Sequence, residues 1–290
     1  MPELPEVETV RRMLEATVRG RTIRTVRLSG LKLREPIAPS LPRRLRGRTI
    51  AALGRTGKYL LVDLDGGLTL LSHLGMSGRW LFFPAAPLDA LEHVHVRLAF
   101  TDGAQLWFQD ARRFGLLRLV RSAALARDPA LASLGPDPVA EPPTGGMLDR
   151  LARGATVAVK GFLLDQRRIA GLGNIYASEV LHRAGVDPRR RAGSLGTDEW
   201  GRVAAAVRTV LDEAIGRMGT TFSMYRTVWG EPGGYGEQLR VYDRAGEPCR
   251  ACGTPIRRIV QGQRSTFYCP ACQRRSRPRG RARPGCAGGP

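Results

Sequence analysis

Apolar residues first recur at helical spacing. Val7, Val10, Leu14 and Val18 follow Pro5, while Glu3, Glu6 and Glu8 cluster where a helix dipole favours negative charge, so residues 3–18 are expected as a helix. From about residue 20 to 120 the pattern changes to short runs broken by turn residues. Lys58–Leu64 and Leu68–Leu74 flank Asp65-Gly66-Gly67, and Val94–Phe100 and Gln105–Phe108 flank residues 101–104, which predicts two hairpins. Leu116–Val120 is a further expected strand. Together these elements predict a two-sheet β-sandwich carrying the N-terminal helix.

Pro129, Pro136, Pro138, Pro142 and Pro143, followed by Gly145-Gly146, mark residues 129–146 as an interdomain linker. Beyond it the period becomes helical. Asn174–Arg183 is one expected helix. Thr197 is the expected N-cap of another, with Asp198 and Glu199 in its first turn and Trp200, Val203, Val207, Val210, Leu211 and Ala214 on one face. The fold class expected is α+β and multidomain. Its β-sandwich unit covers residues 2–128, its helical unit 147–235 and a cysteine-bearing segment 236–273; the Arg-, Pro- and Gly-rich residues 274–290 form a disordered tail.

Charge narrows the range of partners. The 290 residues carry 46 Lys+Arg against 26 Asp+Glu, a formal +20, and removing the six arginines of the tail still leaves +14. Such an excess points to a polyanion. An anionic membrane surface would favour a basic amphipathic helix with a bulky apolar face, and none is evident. No apolar run approaches the ~20 residues of a membrane span, and no export signal opens the chain, so a soluble, cytoplasmic protein that binds nucleic acid is expected. Lys32, Lys58 and Lys160 are the three lysines among so many arginines, and each marks a place where a compact, titratable ammonium is wanted.

Four cysteines fall as Cys249-x2-Cys252 and Cys269-x2-Cys272. This is the spacing of two knuckles around one tetrahedral zinc ion, with Arg257–Val260 and Ser265–Tyr268 as a hairpin between them. Four thiolates saturate the ion, which makes the zinc structural. Two disulfides or an iron–sulfur cluster are the alternatives. Arg264, just past the hairpin turn, is either a solvated surface arginine or a cation projected into a groove.

The N-terminus offers chemistry of its own. With Met1 removed, Pro2 exposes a secondary amine at the head of a helix, where the dipole and a basic setting lower its pKa below the ordinary value of about 8. Attack of that amine on a sugar C1′ gives an iminium that has no N–H proton to lose, which acidifies C2′ and favours elimination of the 3′ phosphate. Glu3 beside it can shuttle protons. The alternative is an ordinary helix start with acids in its first turn.

Six separated motifs occur in one order: residues 1–8 (MPELPEVE), Lys58-Tyr59-Leu60-Leu61, residues 73–78 (HLGMSG), residues 110–115 (DARRFG), residues 171–177 (GLGNIYA) and the four-cysteine finger. From residue 2 to about 273 the chain resembles bacterial formamidopyrimidine-DNA glycosylases. The resemblance implies a β-sandwich, a helix, two turns, helix unit and a zinc finger. It also implies excision of oxidised purines such as 8-oxoguanine and formamidopyrimidines from double-stranded DNA by a monomer, followed by β- and δ-elimination at the abasic site.

By the same resemblance Pro2 is the Schiff-base nucleophile, Glu3 the proton donor, Lys58 an assistant in β-elimination or a phosphate contact, and Arg264 an assistant in δ-elimination. Base flipping leaves a space to be filled. Met76, Arg112 and Phe114 match the family's void fillers. Asn174, at a helix start where backbone N–H groups can hold a phosphate, belongs to the unit that grips the damaged strand. Lys160, His73 and His93 match phosphate-contacting positions, with a structural role as the alternative for both histidines. Residues 222–230 lack the expected Lys-Asp or Arg-Asp before Tyr225, which bears on base preference. A paralogue acting on oxidised pyrimidines or abasic sites, and a non-catalytic zinc-finger binder of damaged DNA, are the competing functions.

Overall fold

The computed structural model describes residues 1–221 and 225–274; Phe222, Ser223, Met224 and the expected tail from residue 275 lie outside the described residues. Helix α1 (Leu4–Val18) forms as its periodicity predicts, and its apolar stripe is buried. Glu3 is its N-cap: the Glu6 carboxylate, three residues on, accepts from the Glu3 backbone N–H at 2.7 Å.

Two antiparallel four-stranded sheets follow. One has the order β1 (Ile23–Leu28), β6 (Val94–Phe100), β7 (Gln105–Gln109), β5 (Arg79–Phe83); the other β2 (Ile50–Thr56), β3 (Tyr59–Leu64), β4 (Leu68–His73), β8 (Leu116–Arg121). A short helix, α2 (Leu41–Leu45), packs on β1. Val10, Leu14, Trp80, Phe100 and Phe108 fill the core between α1 and the sheets. The expected hairpins are present, with one difference. Lys58 does not open a strand; with Gly57 it makes the turn between Thr56 and Tyr59, which frees its side chain from the sheet's alternation.

A partly buried ion network ties α1 to this turn. Glu8 bonds Arg11, Arg12 and Arg55, Arg55 also bonds Asp137, and Asp137 accepts from Gly57 N at 2.7 Å. Residues 129–146, expected as a linker, are thus fastened to the sandwich, and Gly145-Gly146 already open helix α3 (Gly145–Ala152) behind the N-cap Thr144. Burial alone would raise the Glu8 pKa, but hydrogen bonds from Arg11, Arg12 and Arg55 outweigh it and hold the carboxyl at about 2, against an ordinary 4.5. A depressed folded-state pKa contributes stability above the unfolded value that is lost as pH falls through the folded one. Glu8→Gln is therefore expected to cost on the order of 1–2 kcal/mol at neutral pH, discounted because two of the arginines reach solvent. In urea denaturation the gap should narrow between pH 4.5 and 2; a constant gap would contradict it.

A second core lies around α3, α4 (Val159–Leu164), α5 (Asn174–Arg183) and α6 (Thr197–Gly216), where Phe162, Tyr176 and Trp200 are fully buried. Between α4 and α5 the chain makes two turns, giving the helix, two turns, helix arrangement. Helix α6 is capped one residue earlier than expected: Gly196, not Thr197, is the N-cap, because the Glu199 carboxylate accepts from Gly196 N. Leu4, from α1, belongs to this second core, so the chain's first residues stitch the two cores together. Strands β9 (Arg257–Gln261) and β10 (Arg264–Tyr268) form the hairpin of the finger, its turn made by Gly262 and Gln263, both at positive φ.

Candidate active site and metal centre

Glu3 is 3% exposed, and its carboxylate sits on the N-terminus of α5, accepting from Gly173 N at 2.7 Å, Ile175 N at 3.0 Å and Tyr176 N at 3.4 Å. A Cβ on Gly173 would come within 2.3 Å of the Glu3 carboxyl carbon, so only glycine allows this approach. The finding corrects one expectation. Three of the amides at the start of α5, those of Gly173, Ile175 and Tyr176, are engaged by Glu3 rather than open to a phosphate. The Asn174 side chain donates to Ser265 O at 2.9 Å, while its Oδ1 is buried with no partner among the described residues.

Two cavities meet at Met1. One, of about 520 Å3, is lined by Met1, Glu3, Met76, Asn174 and Arg264; the other, of about 330 Å3, by Met1, Lys58, His73, Gln166 and Arg264. The Met1 ammonium pKa is lowered by burial, with Lys58 and Arg112 adding to the effect against Glu3 and Glu6. Lys58 is 6% exposed with no hydrogen bond or ion pair among the described residues; burial lowers its pKa, and Glu3 opposes this while Arg264 adds to it.

Lys160 is placed differently. Its ammonium is buried and donates to Ser265 O at 2.8 Å and Thr266 Oγ1 at 2.7 Å, so it clamps the strand of Arg264 onto α4. Burial, with Arg264 acting in the same direction and Glu3 against, brings its pKa down to about 8. His73 Nδ1 lies 2.9 Å from Gly75 N and 3.2 Å from Arg34 Nη2, both donors, which leaves the ring proton on Nε2. Burial, then Arg34 and Lys58, holds its pKa at about 3, so the ring is neutral and orders the turn that carries Met76. His93 stands apart, exposed at φ 59° beside Glu92.

Met76, Arg112 and Phe114 sit on two adjoining loops, all exposed, with the Arg112 guanidinium 5.0 Å from the Phe114 ring centre. Asp110 staples the loops, accepting from Ser77 Oγ and Gly115 N, and Ser77 Oγ in turn accepts from Arg112 N. Neither Asp110 nor Glu6 was singled out from sequence as a site residue. Glu6 is fully buried and accepts from Glu3 N, Tyr176 Oη and Thr220 N; burial and the charge of Glu3 push its pKa up against these bonds. The Glu3-x2-Glu6 spacing was the available signal.

The four cysteine sulfurs lie within 4.8 Å of one another, with separations of 3.4, 3.5 and 3.9 Å between three of the pairs. Tetrahedral zinc at about 2.3 Å from each sulfur requires about 3.8 Å, whereas a disulfide requires about 2.05 Å. Cys249, Cys252, Cys269 and Cys272 thus fit one structural zinc ion.

Family models match in the same order as these parts: a formamidopyrimidine-DNA glycosylase N-terminal domain over residues 1–117, its H2TH domain over 134–226 and a zinc finger found in FPG and IleRS over 246–275. The formamidopyrimidine-DNA glycosylase of Cereibacter sphaeroides is 47% identical over 283 residues, covering 94% of this chain and all of the relative. The chain belongs to the formamidopyrimidine-DNA glycosylase family. Among solved structures, the Thermus thermophilus MutM (FPG) protein is 41% identical at TM-score 0.83, covering 94% of this chain and 98% of that one. A Lactococcus lactis FPG mutant in complex with Fapy-dG-containing DNA is 31% identical at TM-score 0.87, covering 94% and 100%. Tyr225 and Val228, from the loop where this glycosylase departs from the expected pattern, are buried in the sandwich core, and Phe82 N donates to Val228 O at 2.9 Å.

Proposed function

We propose that this glycosylase excises oxidised purines from duplex DNA and then cleaves the strand by β,δ-elimination, with the Pro2 amine as nucleophile. The observation that carries this reading is the Glu3 carboxylate fixed at the head of α5, beside two cavities that share Met1 and Arg264 in their walls, one of them also lined by Lys58. Removal of Met1 frees the Pro2 nitrogen there, in surroundings that already lower the pKa of an amine.

In the proposed sequence the Pro2 nitrogen bonds to C1′ and the base departs with the glycosidic electron pair. Glu3 serves the accompanying proton transfers, opening the sugar to an iminium. Loss of a C2′ proton expels the 3′ phosphate, and a second elimination expels the 5′ phosphate. Lys58, without a hydrogen-bond or ion-pair partner among the described residues and held at a lowered pKa by burial, serves the first elimination or its phosphate. Arg264 serves the second. Met76, Arg112 and Phe114 fill the duplex where the lesion has flipped out. Asn174, the neutral His73 and the exposed His93 contact phosphates, and Lys160 acts on the same strand by holding the Arg264 hairpin. Residues 2–128, 147–235 and 236–273 act as three units around the DNA, in a monomer of the cytoplasm and nucleoid.

Borohydride trapping on 8-oxoguanine, thymine-glycol and abasic-site duplexes tests the proposal. A covalent adduct on 8-oxoguanine is expected. Trapping confined to the other two substrates would move the assignment to a pyrimidine- or abasic-directed enzyme, and none at all would leave a binding protein. Affinity should fall steeply with salt, by about 10³-fold between 50 and 200 mM if six phosphates are neutralised; a flat response in fluorescence anisotropy would contradict phosphate-dominated binding.

A further inference from the structure

The outer face of the β1-β6-β7-β5 sheet carries an arrangement that costs stability as it stands. Arg27 on β1 and Arg97 on β6 are direct cross-strand partners. Like charges so placed have Cβ atoms about 5 Å apart and repel. Neither guanidinium, nor that of Arg24 beside them, has a hydrogen bond or ion pair among the described residues, and Arg97 Nε is buried with no partner.

The face is also built rather than loose. Arg97 lies 4.8 Å over the Trp107 ring; Trp107 Nε1 donates to Gln105 Oε1 at 2.7 Å, and Phe83 packs 5.0 Å away. A cavity of about 370 Å3 opens in front of the three arginines, and of its lining residues Asp89 alone is acidic, with no ion pair to any of them. Guanidinium forks converging on an open cavity match the oxygens of a phosphate group.

The site is set apart from the lesion cleft along the sheet. Gln105 and Trp107 of strand β7 line this cavity, the strand runs on to Gln109, and the loop bearing Arg112 and Phe114 follows beyond that end, roughly 7–13 Å further along the strand. We infer that Arg24, Arg27 and Arg97 form a second phosphate-binding site that takes the backbone of a duplex segment other than the one held in the cleft. The inference rests on the DNA-binding reading above. An enzyme with two such sites can bridge two segments and pass between them without full release.

The test fills the cleft with a short duplex carrying a tetrahydrofuran abasic-site analogue, which has no C1′ leaving group and is bound without being cut, and adds a fluorescent undamaged duplex, with inorganic phosphate as a separate arm. Wild-type protein should bind the second duplex, and R27Q and R97Q should each weaken that binding several-fold and lower its salt slope by about one, with the abasic duplex held as before. In phosphate-free, low-salt buffer R27Q should raise the melting temperature by about 1–3 °C by relieving the repulsion, and should lose the further rise that phosphate gives the wild type. R27Q, at an exposed position, keeps the test valid if R97Q fails to fold.

Second-duplex binding that is unchanged in both variants overturns the inference. So does phosphate stabilisation without second-duplex binding, which would assign a small anion only, or competition by oligoglutamate equal to that by DNA, which would assign an acidic protein. A parallel loss of abasic-duplex affinity overturns it too, by making these arginines part of the cleft. If the wild type fails to bind the abasic duplex at all, the DNA-binding reading falls as well.

Discussion

Pro2→Gly lowers single-turnover strand cleavage by about 100-fold or more while affinity for a duplex with an uncleavable tetrahydrofuran abasic analogue stays within a few-fold of wild type. The expectation follows from what the ring nitrogen does. A proline iminium keeps its positive charge because it has no N–H to lose, and that charge acidifies the C2′ proton. A glycine amine still adds to C1′, but its imine can shed the proton and the electron sink with it. Glycine also gives up the fixed backbone torsion that directs the nitrogen from the start of α1 toward the cavity. Binding is spared because the groups proposed to hold phosphate and to fill the duplex, among them Arg112, Phe114 and Asn174, lie on other elements. Rapid-quench nicking beside fluorescence anisotropy separates the two effects. Equal losses in both would show that residue 2 positions DNA rather than reacting with it.

Local signals were legible in the sequence wherever a single element decided the outcome. Helices α1 and α5 and strand β6 appear with the bounds implied by the sequence, to within a residue, although α5 is buried on every side from Ile175 to His182 and α1 from Leu4 to Val10. The finger hairpin was equally plain, since the knuckle spacing fixes the metal and the metal fixes the turn. Long-range pairing was not legible. That Glu3 caps a helix beginning some 170 residues later, or that Asp137 holds Gly57 and so the turn of Lys58, depends on the two cores meeting. A capping preference identifies an acceptor and its nearby donors, not a donor from the other half of the chain. The same limit explains Lys160 and Asn174, whose bonds to Ser265 O are set by how the finger docks on α4 and α5.

That docking makes zinc removal the second large effect. Apart from its cysteines, the finger's own core consists of Val241, Ile256 and Phe267, too little apolar surface to hold a hairpin alone. Structural zinc contributes roughly 10–16 kcal/mol in isolated fingers. Chelation, or Cys269→Ser, is therefore expected to unfold β9 and β10 and to remove Arg264 from both cavities it lines with Met1. Lys160 then loses the Ser265 and Thr266 acceptors and stands as a buried ammonium without partners, which loosens α4 in turn. Hydrogen exchange should show β9 and β10 amides losing protection while β2, β3 and β4 keep theirs, with nicking reduced at least 100-fold and restored by added zinc. Protection retained in β9 and β10 after complete chelation would mean that docking against α4 and α5, rather than the ion, holds the hairpin in place.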